Sequence, residues 1–223
     1  LLMATVYEKI SPKFKLIEKA GIPIAYNIEW METSPLARAE WLKFAALFFG
    51  KWDQADSIFK SIEEQYLAVQ KMAQKSDKTP HVLCGVQWKG TWYIPGGNSY
   101  IAELIRDAGG TYSWIQDTTS GSLPLSIENV LDKEMNADFW INPDGMSSLS
   151  DIVRNDERNT LFKPFGTGEV YAALKRTAPN GANDYWESGM VNPHLILEDY
   201  VRIFHPDVYP NRSFHFYKKL EKE

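Results

Sequence analysis

At 223 residues, 44% of them hydrophobic, the chain is long enough to bury a core in one large domain or one and a half. Its net charge of −5, with acids and bases interleaved, excludes the basic footprint of a nucleic-acid binder. The single cysteine excludes an internal disulfide framework, and no apolar run approaches the roughly 20 residues of a membrane span.

Leu1 to about Thr5 is apolar and predicts a strand. Residues 12–20 have helical spacing, with Phe14, Leu16 and Ile17 apolar, and Gly21 closes the helix as a C-terminal cap. Residues 22–28 predict a second strand. This is a small β-α-β unit, which favours parallel pairing. No strand precedes it to cover its edge, so the chain reads as the back part of a longer protein. No signal peptide is visible from Leu1 onward, and a processed chain would also lack one.

Helix formers dominate from Pro35 to about Gln74. Ser34 is placed to cap and Pro35 to occupy the first helical position. Gly50 breaks the run. In the second part Ala55, Phe59, Ile62, Tyr66, Val69 and Met72 form one stripe in steps of three and four, a helix about 30 Å long at ~1.5 Å per residue. Such a helix can span two lobes, and it also fits an ordinary surface helix with one buried face. The polar stretch 75–80 is the best boundary. The reading divides the chain into residues 1–34, 35–78 and 79–223.

Beyond that boundary, strands are expected at 81–86, 138–142 and 170–175, and helices at 99–108, 127–134 and 195–204. Gly109-Gly110 and Pro206 supply stops, and Ser126 supplies a cap. The alternation predicts an α/β lobe with a parallel-rich, Rossmann-like doubly wound sheet. Cys84 lies within an apolar run and reads as a buried thiol.

The aromatic residues are the strongest functional signal. Trp88, Trp92 and Tyr93 cluster in what reads as a loop after the 81–86 strand; Trp114 follows Gly109-Gly110, and Trp140 ends another strand. In an open α/β sheet ligands bind beyond the carboxyl ends of strands, where rigid rings offer an apolar surface with polar tips. Trp88, Trp92 and Tyr93 are therefore expected to be partly exposed on one side of the lobe, with Trp140 joining them. Rings of this kind also cover cores, and that alternative stays open.

Other chemistry is poorly supported. His81, His194, His205 and His215 show no ligand spacing and have no cysteine partner, so neither a metal site nor a cofactor of the protein's own is expected. Gly96-Gly97-Asn98 lacks the dinucleotide pattern, and neither a P-loop nor a Gly-x-Ser-x-Gly elbow is present. Asp184 and Glu187 flank Tyr185 and Trp186; a helix-capping role suits the aspartate better than acid–base catalysis.

The run from Ser34 to Trp41, the stretches 182–187 and 193–199, His205-Pro206, Ala108-Gly109-Gly110 and residues 125–128 together resemble the substrate-binding proteins of ABC importers for iron–siderophores, haem and vitamin B12. The resemblance runs over nearly the whole chain. It implies two α/β lobes joined by one helix with the ligand between them, most of the N-terminal lobe lying outside this chain. It implies a periplasmic or outer-face location, possible through a lipid anchor. The partners implied are a permease and a small-molecule metal chelate that itself carries iron or cobalt. It also assigns Glu128 to a permease contact, although a carboxylate in a first helical turn is favoured by the helix dipole anyway. Glu40 matches a family motif and reads as structural. Two other readings compete: a carbohydrate-active hydrolase or lectin-like module using Asp184 or Glu187 with the aromatic surface, and an interaction module whose aromatics form a hot spot.

Overall fold

The computed structural model describes residues 2–5, 12–208 and 213–222. Leu1, the start of the expected first strand, and Glu223 lie outside them. The chain forms two compact units, Leu1–Glu32 and Thr33–Glu223.

The first unit is the small β-α-β motif. Strands β1 (Leu2–Thr5) and β2 (Ile24–Asn27) pair in parallel, with Leu2 opposite Ile24 and Thr5 opposite Asn27, around helix α1 (Pro12–Lys19). Gly21 turns the chain at φ +80°, and its amide donates to Glu18 O at 2.9 Å, closing the end of α1.

The second unit opens with α2 (Pro35–Leu47), whose first turn is capped by Ser34 Oγ accepting from the Ala37 amide. The 22-residue α3 (Trp52–Ala73) follows. Its buried stripe is Ala55, Phe59, Ile62, Tyr66, Val69 and Ala73; Ala73 takes the inward place expected of Met72. This face packs on a late helix, and Tyr66 and Gln70 donate to the two oxygens of Asp107 at 2.5 and 2.7 Å.

The lobe is built on β3 (Val82–Cys84), followed by β4 (Gln87–Trp88), β5 (Thr91–Pro95), α4 (Tyr100–Asp107), β6 (Ser122–Leu125), α5 (Ile127–Glu134) and β7 (Phe139–Ile141). Next come α6 (Leu149–Asn155), α7 (Lys163–Thr167), β8 (Val170–Ala172), α8 (Ser188–Val191), α9 (Pro193–Phe204) and β9 (Lys218–Lys219). Strands β3, β7 and β8 are parallel, in register Leu83–Trp140–Val170, and β9 adds antiparallel to β8. The parallel-rich α/β lobe with a long helix beside it is thus observed. The expected strands at 81–86 and 170–175 prove shorter.

One element runs against expectation. The stretch holding Trp88, Trp92 and Tyr93 is no loop but the antiparallel meander β4-β5-β6, in which Trp92 opposes Leu125 and Tyr93 opposes Pro124. Lys89 and Gly90, at φ 50° and +81°, form the tight turn between β4 and β5.

At the amino end of the sheet His81 Nε2 stands 2.5 Å from Glu134 Oε2, and the other carboxylate oxygen accepts from the Ser113 amide at 2.9 Å. The Glu134 hydrogen bond holds the imidazole above its ordinary value of 6.5. A raised value in the folded state means that the pair's stabilisation is complete below pH 6.5 and is lost as pH rises through the raised value. Burial lowers His194 and His205, which act in the opposite sense. The comparison that isolates His81 is therefore native against His81→Gln. The gap in their melting temperatures is expected to be largest below pH 6.5 and to close toward alkaline pH. A gap that does not change with pH would show that the contact carries no charge.

Candidate functional site

The carboxyl ends of β3, β7 and β8 open onto one recess of about 220 Å³. Cys84 and Gly85 come from the end of β3, Asn142 and Asp144 from beyond β7, and Ala173 from beyond β8. Tyr93 of β5, with Tyr185 and Trp186 before α8, contributes the aromatic wall. This is where parallel α/β sheets receive ligands. A larger groove of about 330 Å³ between α2 and α3, lined by Leu42, Ala45, Phe49 and Ile58, lies away from the strand ends and gathers few polar groups.

The floor is held rigidly. Asn142 adopts a left-handed φ of 53°, which asparagine tolerates better than most residues. Its amide nitrogen donates to Tyr200 Oη at 3.0 Å, and its oxygen accepts from Tyr217 Oη at 2.5 Å. Burial pushes the Cys84 thiol up, so the residue is a packed, inert neighbour, as its apolar setting implied. Gly85 turns at φ +82°, and a Cβ there would meet Trp92 Nε1 and Tyr93 O at 3.4 Å. Gly97 serves close approach of a different kind: a Cβ would lie 2.3 Å from Asp117 O.

The four predicted aromatics separate into two pairs. Trp88 and Tyr93 are 62% and 45% exposed, and Tyr93 lines the recess. Trp92 and Trp140 are both 0% exposed, which corrects the expectation that they face a ligand. The physical reason is visible in their contacts. Trp140 lies on the central strand β7, covered on both faces, and Trp92 points from β5 into the core. Their rings stack at 5.8 Å, and each packs against Phe162 at 5.4 Å. Trp92 Nε1 donates to Cys84 O at 2.9 Å and Trp140 Nε1 to Gly85 O at 2.7 Å. The pair thus clamps the turn that forms the floor and does not itself line the recess.

Trp186, 54% exposed and edge-on to Tyr185 at 4.8 Å, is the aromatic that the sequence reading passed over. Its signal was its position beside Asp184. That aspartate accepts from Ser188 Oγ at 2.7 Å and pairs with Arg176 at 2.9 Å, contacts that lower its carboxyl. Trp114 is partly buried against the core, with Lys133 over its ring.

Glu128 is exposed in the first turn of α5, its helix capped by Ser126. Its own amide, Ser126 and Arg158 hold the carboxyl below its ordinary value, and Arg158 Nη1 lies 2.6 Å away. No group of three His, Cys, Asp or Glu placed to hold a metal occurs among the described residues.

A family model described as periplasmic binding protein matches residues 25–161. Over 219 residues the chain is 28% identical to an uncharacterized lipoprotein of Methanocaldococcus jannaschii, covering 97% of this chain and 50% of that one. The chain therefore spans about half the length of this curated relative. Among solved structures it is similar to the periplasmic heme-binding protein RhuT of Roseiflexus sp. RS-1 in its apo form, with a TM-score of 0.70 at 18% identity, over 92% of this chain and 75% of that chain. It is also similar to an ABC transporter substrate-binding protein of Listeria monocytogenes EGD-e, with a TM-score of 0.62 at 19% identity, over 91% and 76% of the two chains. At these identities the structural likeness establishes the fold.

Proposed function

The chain belongs to the periplasmic binding protein family, and from that premise we propose that it forms the C-terminal lobe of an extracytoplasmic substrate-binding protein. The proposed protein captures an iron chelate, haem or a cobalamin-like ligand and hands it to an ABC importer permease. The observation that carries this reading is the aromatic recess at the carboxyl ends of β3, β7 and β8, with Tyr93 and Trp186 at its wall. Its volume of about 220 Å³ is below the roughly 300–1,000 Å³ of a complete small-molecule pocket, as suits one wall of a cleft between lobes. Two solved neighbours, one a periplasmic heme-binding protein and one an ABC transporter substrate-binding protein, support the same class.

Binding without catalysis fits the site. Asp184, one of the two carboxylates that a hydrolase could use as acid or base, is occupied by Ser188 and Arg176. Among the described residues no helix is long and apolar enough to cross a membrane. Attachment to the outer face through a lipid anchor accords with the lipoprotein name of the Methanocaldococcus relative. The permease contact falls to Glu128, whose exposed pairing with Arg158 is weak enough to be exchanged for a permease arginine.

Titration of the protein with haemin, ferrioxamine B and cyanocobalamin, followed by tryptophan emission, is expected to give saturable quenching with one of the three. Tyr93→Ala should weaken that ligand about tenfold, the size of a lost aromatic contact, with the far-ultraviolet spectrum unchanged. Flat titrations with all three ligands would remove the reading.

A further inference from the structure

Desolvated carboxylates in this lobe have partners. Asp107 accepts from Tyr66 and Gln70, Asp138 from Lys163 and the His81 amide, and Asp199 from three backbone amides. Asp144 is different. It is an exposed residue at the mouth of the recess, where the surrounding walls displace part of its water and raise its carboxyl above the ordinary value. No hydrogen bond or ion pair among the described residues reaches that carboxylate, and no neighbouring charge perturbs it. An unpaired carboxylate at the mouth of an otherwise uncharged recess is placed to meet a cationic group of whatever the recess receives.

The rest of the recess is neutral. It is lined by aromatic, apolar and amide side chains and the Ser122 hydroxyl, and among the described residues no lysine, arginine or histidine contributes to it. The nearby Arg176 is tied to Asp184, and Lys175 donates to Phe214 O. An anionic ligand would meet one unpaired negative charge here and no positive one. A ligand with a cationic group would pair with the carboxylate while its apolar body lay on Tyr93 and Trp186.

We infer that Asp144 receives a positively charged group of the ligand, so that the compound captured is a cationic chelate and not an anionic carboxylate or catecholate one. The inference rests on the proposed binding function and narrows its ligand class.

Two matched pairs of probes test it by calorimetry at pH 7. Ferrioxamine B carries a pendant ammonium that its N-acetyl derivative lacks, and aquacobalamin carries a positive charge that cyanocobalamin lacks. Haemin serves as the anionic comparison. Within whichever pair binds, the charged member is expected to bind about tenfold tighter, the size of one partly desolvated ion pair. Asp144→Asn should abolish that preference, bringing the charged and neutral members to equal affinity. Its melting temperature should stay close to native, because the carboxylate is exposed and makes no hydrogen bond or ion pair within the described residues. Lowering the pH from 7 to 5 should erode the preference as Asp144 takes up a proton. The other titratable groups facing the recess are Cys84 and Tyr185, which burial holds neutral, and the phenol of Tyr93. Equal binding of charged and neutral members, a preference that survives Asp144→Asn, or binding of haemin alone overturns the inference while leaving the binding function standing. Failure of all five probes overturns both.

Discussion

Replacing Asp199 by alanine is expected to cost about 3–5 kcal/mol and to release the C-terminal segment from the lobe. Asp199 sits on α9 with no exposed surface, and its two oxygens accept from the amides of His215, Phe216 and Tyr217 at 2.7, 2.7 and 3.1 Å. An orphaned buried donor costs about 1–3 kcal/mol, and alanine would orphan three at once. Burial pushes the carboxyl up against the pull of these donors, so part of the gain from ionisation is already offset, which keeps the expected figure below the simple sum. Asparagine retains one acceptor oxygen and should lose roughly half as much. Urea unfolding gives the free energy, and hydrogen exchange at the amides of residues 215–217 locates it. A loss below ~1 kcal/mol, with those amides still protected, would mean that Phe216 and Tyr217 anchor the segment by packing alone.

The second large effect is at Trp140. Trp140→Ala is expected to cost about 3–5 kcal/mol, the range for emptying a buried aromatic site. It removes the stack with Trp92, the edge contact with Phe162 and the donor to Gly85 O. Trp140→Phe restores much of the volume and leaves the Gly85 carbonyl without its partner, so an intermediate loss of about 1–2 kcal/mol is expected. Ligand affinity should fall in both variants although the ring never touches the recess, because the Cys84–Gly85 turn that it clamps is part of the floor. Circular dichroism in urea measures the first quantity and calorimetry the second. If Trp140→Ala unfolds like the native protein, the indole pair is not what holds the turn.

The elements read correctly in advance were those with local signals. Ser34-Pro35 and Ser126 marked helix starts because a short side-chain oxygen satisfies the first free amides, and the stripe from Ala55 onward marked a face because α-helical periodicity needs no partner to be visible. The apolar runs around Leu83, Trp140 and Val170 marked strands. The meander was missed because its aromatics were read as a group. Taken singly, Trp92 and Ile94 are buried while Tyr93 is exposed, the alternation of a half-covered strand, and Lys89-Gly90 is a tight-turn pair. Whether Trp140 or Trp186 faces the recess depends on which strands flank β7 and on how the chain folds back before α8. Those are long-range facts, and neither residue's neighbours in sequence carry them. Asp144 carried no local mark, since its distinction is the absence of a partner in three dimensions.

The outermost strand, β9, consists only of Lys218 and Lys219, both exposed, with Lys219 Nζ 2.7 Å from Glu169. An open strand edge is a template on which another chain can polymerise, and proteins blunt it with brevity and charge. Here the edge offers two residues of backbone, and an incoming strand would have to desolvate adjacent ammonium groups to reach them. The parallel sheet therefore ends where it can no longer be extended on that side, and copies of the lobe can be crowded together without their sheets fusing along it.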